Sequence, residues 1–430
     1  MNSMKKTPRT FNSKSSTPLL ECQICENPKL KSIMFLGYMR PVSTMRNIED
    51  KPIEETFYPT EFVYCQTCHL AQIAHVVDPK ILFLPEYVYT SSTTKVLRDN
   101  FAELYRECSS IIDLKSSDLI VDIGSNDGNL LMNFKDKHKV LGVTPEEIGK
   151  FAIKKEIPTM IDFFNEKTAD KINKKYGKAK VVTATNVFAH IEKVHDVVTS
   201  IKKLLEPSGV FISESHYLLP LLRDLQYDTI YHEHLRYYSL HSLSYLLNMH
   251  GLEIFHAKEI PTHGGSIRVY AAKKGQYAVR KSVKKVLDKE KNTVTNIEAF
   301  NKFKKDVMLS KLNLYSLLYP IKKKGKKIFG ISAPARSTTL ISYTGLDEEI
   351  LDCVIEVEGS QKINKYIPGT KIPVLSESKL MSAQPEYALL LSWHIAGELI
   401  PKLKKKGFRG DFIVPLPKPY IIKNKQVKVS

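Results

Sequence analysis

The stretch Leu119–Asn129, reading LIVDIGSNDGN, constrains the fold of this chain more than any other. Leu119, Ile120 and Val121 read as a buried strand, Asp122 to Gly128 as a glycine turn, and Leu130 to Phe134 as the start of a helix. In an α/β sheet that succession builds a ligand site. Glycine lacks Cβ and takes positive φ easily, so the backbone N–H groups of such a turn can approach a small polar ligand closely. Asn126 stands where a G-x-G-x-x-G dinucleotide fingerprint needs glycine, and no Lys-Ser/Thr pair closes a P-loop.

At 430 residues the chain has room for about two to four domains, each with a sizeable core. Its 43% apolar and 26% charged content is that of a globular protein. No run of about 18 apolar residues occurs, so no membrane span is expected. Met1 to Pro18 is basic and Ser/Thr-rich without an apolar core, which predicts a flexible tail rather than a secretory signal, with the cytoplasm as the default compartment. The net charge of +18 suits a phosphorylated substrate. The excess is scattered lysine, clustered only at Lys281–Lys291 and Lys322–Lys327, and nucleic acid is not an expected partner.

Cys22-x-x-Cys25 and Cys65-x-x-Cys68 are separated by 39 residues. Two such knuckles in a cytosolic chain present four thiolates at the spacing of a structural zinc site, and a closed four-thiolate set leaves no position for catalysis. The long intervening segment should carry strands of its own, Ile33 to Leu36 being one. Next, Tyr87-x-Tyr89-x-Ser91-Ser92 leads into a helix expected from Thr93 to Cys108. Aromatics and hydroxyls at a helix start suit either an anion or a plain cap.

Strands at Val140–Val143, Pro158–Ile161, Lys180–Ala184 and Gly209–Glu214, with helical stretches between them, predict a parallel doubly wound sheet. Such sheets bind ligands beyond the carboxyl ends of their strands, where Asp122, Thr144, Asp162, Asn186 and His190 fall. The densest chemistry lies in Tyr227–Tyr238, YDTIYHEHLRYY. Tyr231, His232, Glu233 and His234 combine a proton acceptor, a carboxylate and a phenol that can donate to an oxyanion. His232 and His234 stand two apart and share no helix face, which disfavours a catalytic metal. His263-Gly264-Gly265-Ser266 is a second glycine turn, and Ile297 to Leu318 has helical periodicity. A further α/β unit opens at Lys327–Leu340, where Ala333-Pro334-Ala335-Arg336-Ser337 could hold a phosphate by helix-terminal amides and the Arg fork, or Arg336 could be salt-bridged at a domain edge. Lys362 and Trp393 follow later strands.

The glycine turn resembles the first motif of class I S-adenosylmethionine (SAM) methyltransferases. Taken in order, CxxC…CxxC, Tyr-x-Tyr-x-Ser-Ser, DIGSNDG, NVFAH, IYHEH, HGGS, GISAPARS and PGTKIPV resemble the three-domain SAM-dependent C-methyltransferases of nucleotide-linked keto-deoxysugars, over about Cys22 to Val414. The resemblance implies a tail (1–18), a zinc-binding domain (19–85), a class I methyltransferase domain (86–275), a helical connector (276–325) and a Rossmann-like domain that holds the nucleotide sugar (326–430). It implies that Asp122, Gly124, Ser125, Asn126 and Gly128 cradle SAM, with Thr144, Asp162, Phe163 and Asn186 at the neighbouring strand ends. His234 would be the general base, beside Tyr231, Glu233 and His190, with Tyr89 lining the pocket. His263, Gly264, Gly265, Ser266, Ala333, Pro334, Ala335, Arg336, Ser337, Lys362 and Trp393 would face a nucleotide diphosphate sugar. Thr144 departs from the pattern, since an acidic residue usually binds the ribose there and a hydroxyl cannot grip both ribose hydroxyls as a carboxylate does. Glu146 or Glu147 could substitute. Alternatives are a SAM-dependent methyltransferase on another anion such as RNA, and a non-catalytic nucleotide-sugar-binding protein.

Overall fold

The fold was obtained as a computed structural model, and residues 15–83, 94–145 and 147–424 are described. Tyr89 with its flanking motif, and Glu146, lie outside the described residues.

The N-terminal module comprises β1 (Ser16–Pro18), β2 (Leu30–Met39), β3 (Arg46–Asn47), β4 (Tyr58–Cys65), β5 (Ala71–Ile73), β6 (His75–Val77) and α1 (Pro79–Leu82). Ser16–Pro18, expected to belong to the flexible tail, instead pairs antiparallel with β6. The long strand β2 contains Ile33–Leu36 as expected, and Ile33, Met34 and Leu36 are buried while Phe35 is half exposed.

The middle module opens with α2 (Lys95–Ile111), followed by β7 (Leu119–Ile123), β8 (Lys139–Thr144), α3 (Gly149–Lys154), β9 (Thr159–Ile161), α4 (Glu166–Tyr176), β10 (Ala179–Thr185), α5 (Val194–Leu204), β11 (Leu205–His216) and α6 (Leu218–Arg223). It closes with β12 (Arg236–Tyr237), α7 (Leu240–Met249), β13 (Leu252–Ile260) and β14 (Ser266–Lys273). Seven strands form one sheet in the order β13-β14-β11-β10-β7-β8-β9, parallel from β9 to β11 and antiparallel at β14 and β13. The order reverses at β7, whose neighbours are β8 and β10, so the turn after Ile123 lies at the topological switch point. The helix expected at Leu130 is only a 3-10 turn, Leu131–Asn133. Ten residues separate Gly128 from β8.

Buried polar bonds lock the outer half of this sheet. Arg268 of β14 is fully buried and pairs with Glu214 of β11 at 2.6 Å and with Glu103 and Glu107 of α2 at 2.5 and 2.6 Å. Helix α2 is thereby fixed across β14.

After α8 (Lys281–Glu290) and the long helix α9 (Ile297–Lys323), the C-terminal module comprises β15 (Ile328–Ile331), α10 (Ala335–Thr344), β16 (Cys353–Glu356), β17 (Lys365–Tyr366), β18 (Pro373–Ser376), α11 (Glu377–Ala383), β19 (Tyr387–Leu390), α12 (Ala396–Lys405), β20 (Asp411–Val414) and β21 (Tyr420–Ile422). Five central strands run parallel, and β15 lies between β16 and β19, making a second switch point. That geometry brings GISAPARS after β15 beside Trp393 after β19.

The modules exchange short strands. β12, directly after His234, pairs with β5 of the N-terminal module, while β3 of that module pairs with β17 at the edge of the C-terminal sheet. Two of the sheets therefore cross the expected domain boundaries.

Candidate active site

Cys22, Cys25, Cys65 and Cys68 place their sulfurs within 4.8 Å of one another. Cys22 and Cys68 lie 3.3 Å apart and Cys25 and Cys65 3.4 Å apart, beyond disulfide bonding length. A tetrahedral zinc with Zn–S bonds of about 2.3 Å needs sulfurs somewhat under 4 Å apart, so the donor set fits the ion. The module is a zinc-binding domain. With all four positions filled by thiolates its role is structural.

At the middle sheet's switch point, Gly124 has φ 71° and Gly128 φ 79°. A Cβ on Gly124 would stand 2.3 Å from Val187 Cγ2, and one on Gly128 2.6 Å from Ile157 Cδ1, so the path of the turn is closed to other residues. The Ser125 hydroxyl is buried with no hydrogen-bond partner among the described residues, as expected of a group awaiting a ligand. Gly124, Ser125, Thr144, Asp162 and Asn186 share the carboxyl-terminal edge of the sheet. Exposed Phe163 adjoins Asp162 on the same edge.

Asp122 sits differently from the others. Its carboxylate is buried beneath the turn and accepts a 2.6 Å bond from Thr183 Oγ1. Burial, with Glu214 nearby, pushes its carboxyl up to about 7 despite that bond. It props the turn from below. Thr144 is fully buried, and Glu147, which could have served in its stead, is exposed and paired with Lys150.

A second cluster forms where the middle and C-terminal modules meet. His234 Nδ1 lies 2.9 Å from the Thr229 carbonyl, and His234 Nε2 lies 3.2 Å from the Tyr231 hydroxyl. A carbonyl only accepts, so Nδ1 carries the hydrogen and Nε2 keeps the lone pair. Burial, together with His190 and His216, holds the His234 imidazole well below its ordinary range. The His190 ring centroid is 5.0 Å from that of His234, and the His216 ring stacks on it at 6.4 Å. His232, by contrast, turns away into the zinc module, where Nε2 meets Thr60 Oγ1 at 3.2 Å. The two histidines of HEH thus do different work, as their spacing requires. Glu233 is buried, and burial holds the Lys362 ammonium below its ordinary range, opposed by Glu356 and, across the module boundary, by Glu233.

The residues expected to face a diphosphate are brought to this boundary but engaged locally. Arg336 makes a two-pronged bond with Asp228, 2.8 Å from Nε and 2.7 Å from Nη2, and stacks on Trp393. The salt-bridged alternative for Arg336 is the one realised, and the open phosphate fork is corrected accordingly. Trp393 Nε1 donates to Asp228 at 2.7 Å, Ser337 Oγ donates to the Pro334 carbonyl at 2.6 Å, and Lys362 Nζ donates to the Ala333 carbonyl at 2.6 Å. His263 (φ 57°), Gly264 and Gly265 form a strained turn tied to Gln226, whose Nε2 donates to the Gly264 carbonyl at 2.7 Å. Ser266 begins β14 with its hydroxyl on the Thr262 carbonyl.

Sequence reasoning missed Asp228, the Thr229 carbonyl, His216 and Gln226. Asp228 lies inside the YDTIYHEH run and was visible there; His216 and Gln226 are isolated and carry no local signal.

A doubly wound sheet that turns at β7, ends in an antiparallel β14-β13 pair and carries a glycine turn at its switch point defines a class I SAM-dependent methyltransferase. Family models agree: residues 22–83 match a family described as a zinc binding domain, 94–257 a methyltransferase domain, and 261–417 a C-methyltransferase C-terminal domain. The C-methyltransferase NovU of Streptomyces niveus is 31% identical over 411 residues, covering 94% of this chain and 97% of NovU. The chain belongs to the C-methyltransferase family that this relative represents. Similar solved structures include a SAM-dependent methyltransferase from Clostridium acetobutylicum ATCC 824, 15% identical, covering 42% of this chain and 93% of that one with a TM-score of 0.32. Another is the magnesium protoporphyrin IX methyltransferase of Synechocystis PCC 6803 with bound SAM, 14% identical, covering 40% and 78% with a TM-score of 0.31.

Proposed function

We propose that this C-methyltransferase acts on a nucleotide-linked keto-deoxysugar, methylating the carbon next to the ketone, with His234 as general base. The observation that carries the reading is the pair of hydrogen bonds at His234, which puts the hydrogen on Nδ1 and leaves Nε2 unprotonated beside the Tyr231 phenol. SAM, when bound at the glycine turn, supplies an electrophilic methyl group. A C–H bond next to a ketone is too weakly acidic to ionise unaided. His234 Nε2 takes the proton while Tyr231 turns its hydroxyl to the developing enolate oxygen. An imidazole held below its ordinary range is unprotonated across the neutral range but is a weak base. The negative charge of a nucleotide diphosphate nearby favours the imidazolium and offsets that weakness. His190 packs edge-on against the ring and holds its plane.

The test is proton exchange. In D2O without SAM, the enzyme is expected to place deuterium next to the ketone of a thymidine- or uridine-linked 4-keto-6-deoxysugar, read by mass spectrometry. H234A is expected to bind SAM normally and to exchange nothing. Wild-type rates of methyl transfer by H234A would overturn the assignment of the base, and transfer only to other acceptors would overturn that of the substrate.

A further inference from the structure

We propose that Arg336, in the C-terminal module, is a positioning residue for His234: through Asp228 it fixes the backbone turn whose carbonyl orients the imidazole. The inference rests on the reading of His234 as base.

Three side chains of the C-terminal module grip two residues of the middle module, one on either side of Thr229. Arg336 and Trp393 bond the Asp228 carboxylate, and Thr339 Oγ1 donates to the Ile230 carbonyl at 3.4 Å. Between the two gripped residues lies Thr229. Its carbonyl receives both His234 Nδ1–H at 2.9 Å and the Tyr237 hydroxyl at 3.3 Å. Thr229 is itself held from behind, its N–H and its hydroxyl both donating to the Gln226 carbonyl at 3.0 and 2.7 Å. A displacement of Asp228 is therefore transmitted to the one acceptor that sets the tautomer and plane of His234.

Arg336 and Asp228 are both buried, with the guanidinium 5.0 Å from the Trp393 ring centroid. Burying an ion pair is a poor way to gain stability, because well-packed apolar residues hold a fold as well or better. A two-pronged Arg–carboxylate bond does impose direction, which an apolar contact cannot. Its Nε and Nη2 are committed to Asp228, which leaves the pair electrically neutral and suits it to aligning a neighbour rather than attracting a distant anion. The consequence is that the base acquires its working orientation only when the C-terminal module is docked.

The experiment uses the full-length, zinc-loaded enzyme carrying R336K, which keeps the charge but loses the planar fork, and D228N. Misplacement of about 1 Å is enough to cost about a hundredfold in rate, so kcat is expected to fall roughly 10- to 100-fold in both, with SAM affinity and zinc content unchanged. With 15N-labelled histidine, His234 is expected to show the Nδ1–H tautomer alone in the wild type and a mixture in the variants. Wild-type kcat and a single tautomer in both variants would overturn the proposal. Should either variant lose SAM binding, W393F, which removes one donor to Asp228, replaces it with the same two readouts. H234A separates the two ideas: an active H234A refutes the base, whereas an inactive H234A beside an unimpaired R336K refutes only the positioning.

Discussion

Replacing Gly124 by alanine tests whether steric closure shapes the cofactor turn. An L-residue held in the left-handed region costs about 1–2 kcal/mol, and φ at Gly124 is 71°. The new methyl would also meet Val187, with Cγ2 at 2.3 Å, Cγ1 at 3.0 Å and Cβ at 3.1 Å. Overlap of this kind in a packed region costs about 1–3 kcal/mol, so G124A should lose roughly 2–5 kcal/mol in all. V187A removes the two nearest contacts and leaves the positive φ untouched. In the V187A background the same glycine replacement should therefore cost less by about 1–3 kcal/mol, a coupling well above the scatter of independent sites. Urea unfolding of the four proteins, followed by circular dichroism with the slope of each transition compared, measures the cycle. SAM titration of each should show affinity lost in G124A and partly recovered in the double variant. Strict additivity of the two stability changes would refute the steric account, and undiminished SAM binding by G124A would refute the placing of the cofactor at this turn.

Three further outcomes follow from the same contacts. Chelating the zinc, or C65S, should abolish methyl transfer, read by methyl incorporation from labelled SAM, because β5 loses its hold on β12 directly after His234; activity surviving complete metal removal would contradict this. Burial depresses His190, His232 and His263 to about 4 and His216 and His394 to about 3. Below pH 6.5 the unfolded chain binds protons that the folded chain refuses, so each such histidine removes about 1.4 kcal/mol of stability per pH unit down to its folded value. Asp122, raised to about 7, and Glu214, also raised by burial, work in the opposite sense but are outnumbered by the depressed histidines, and the melting temperature should fall between pH 6.5 and 4.5; a flat profile would refute the neutral cluster. R268L should cost about 3–5 kcal/mol by leaving Glu214 buried without its partner, measured by urea unfolding, and a loss below 1 kcal/mol would show that the network contributes little.

The parts legible in the sequence were those whose signal is local. Two CxxC pairs, a glycine turn after an apolar strand and the alternation of strands with helices each declare themselves within a few residues, and the sulfurs and strand ends meet as expected. The helix after Gly128 was overestimated because Leu130–Phe134 has helical composition, whereas the chain there makes only a 3-10 turn. What stayed hidden depends on partners far along the chain. Asp228 and Arg336 are 108 residues apart, so whether Arg336 is a free fork or a neutralised one is a property of the docked modules. The bond from Thr183 to the Asp122 carboxylate joins neighbouring strands and likewise has no local signal. Strands of two residues, such as β3 and β12, carry no periodicity for a sequence reading to detect.

Those two short strands give the metal a place in time as well as in space. β12 fastens the segment that carries His234 to the zinc module, and β3 fastens the same module to the far sheet. Both pairings are expected to depend on the cysteine knuckles closing around their ion. A chain without metal is then expected to fold its cofactor sheet and bind SAM, yet to transfer no methyl group until metal arrives. Zinc supply becomes a checkpoint in maturation, and an under-metallated preparation would look like a sound cofactor-binding protein with a dead active site.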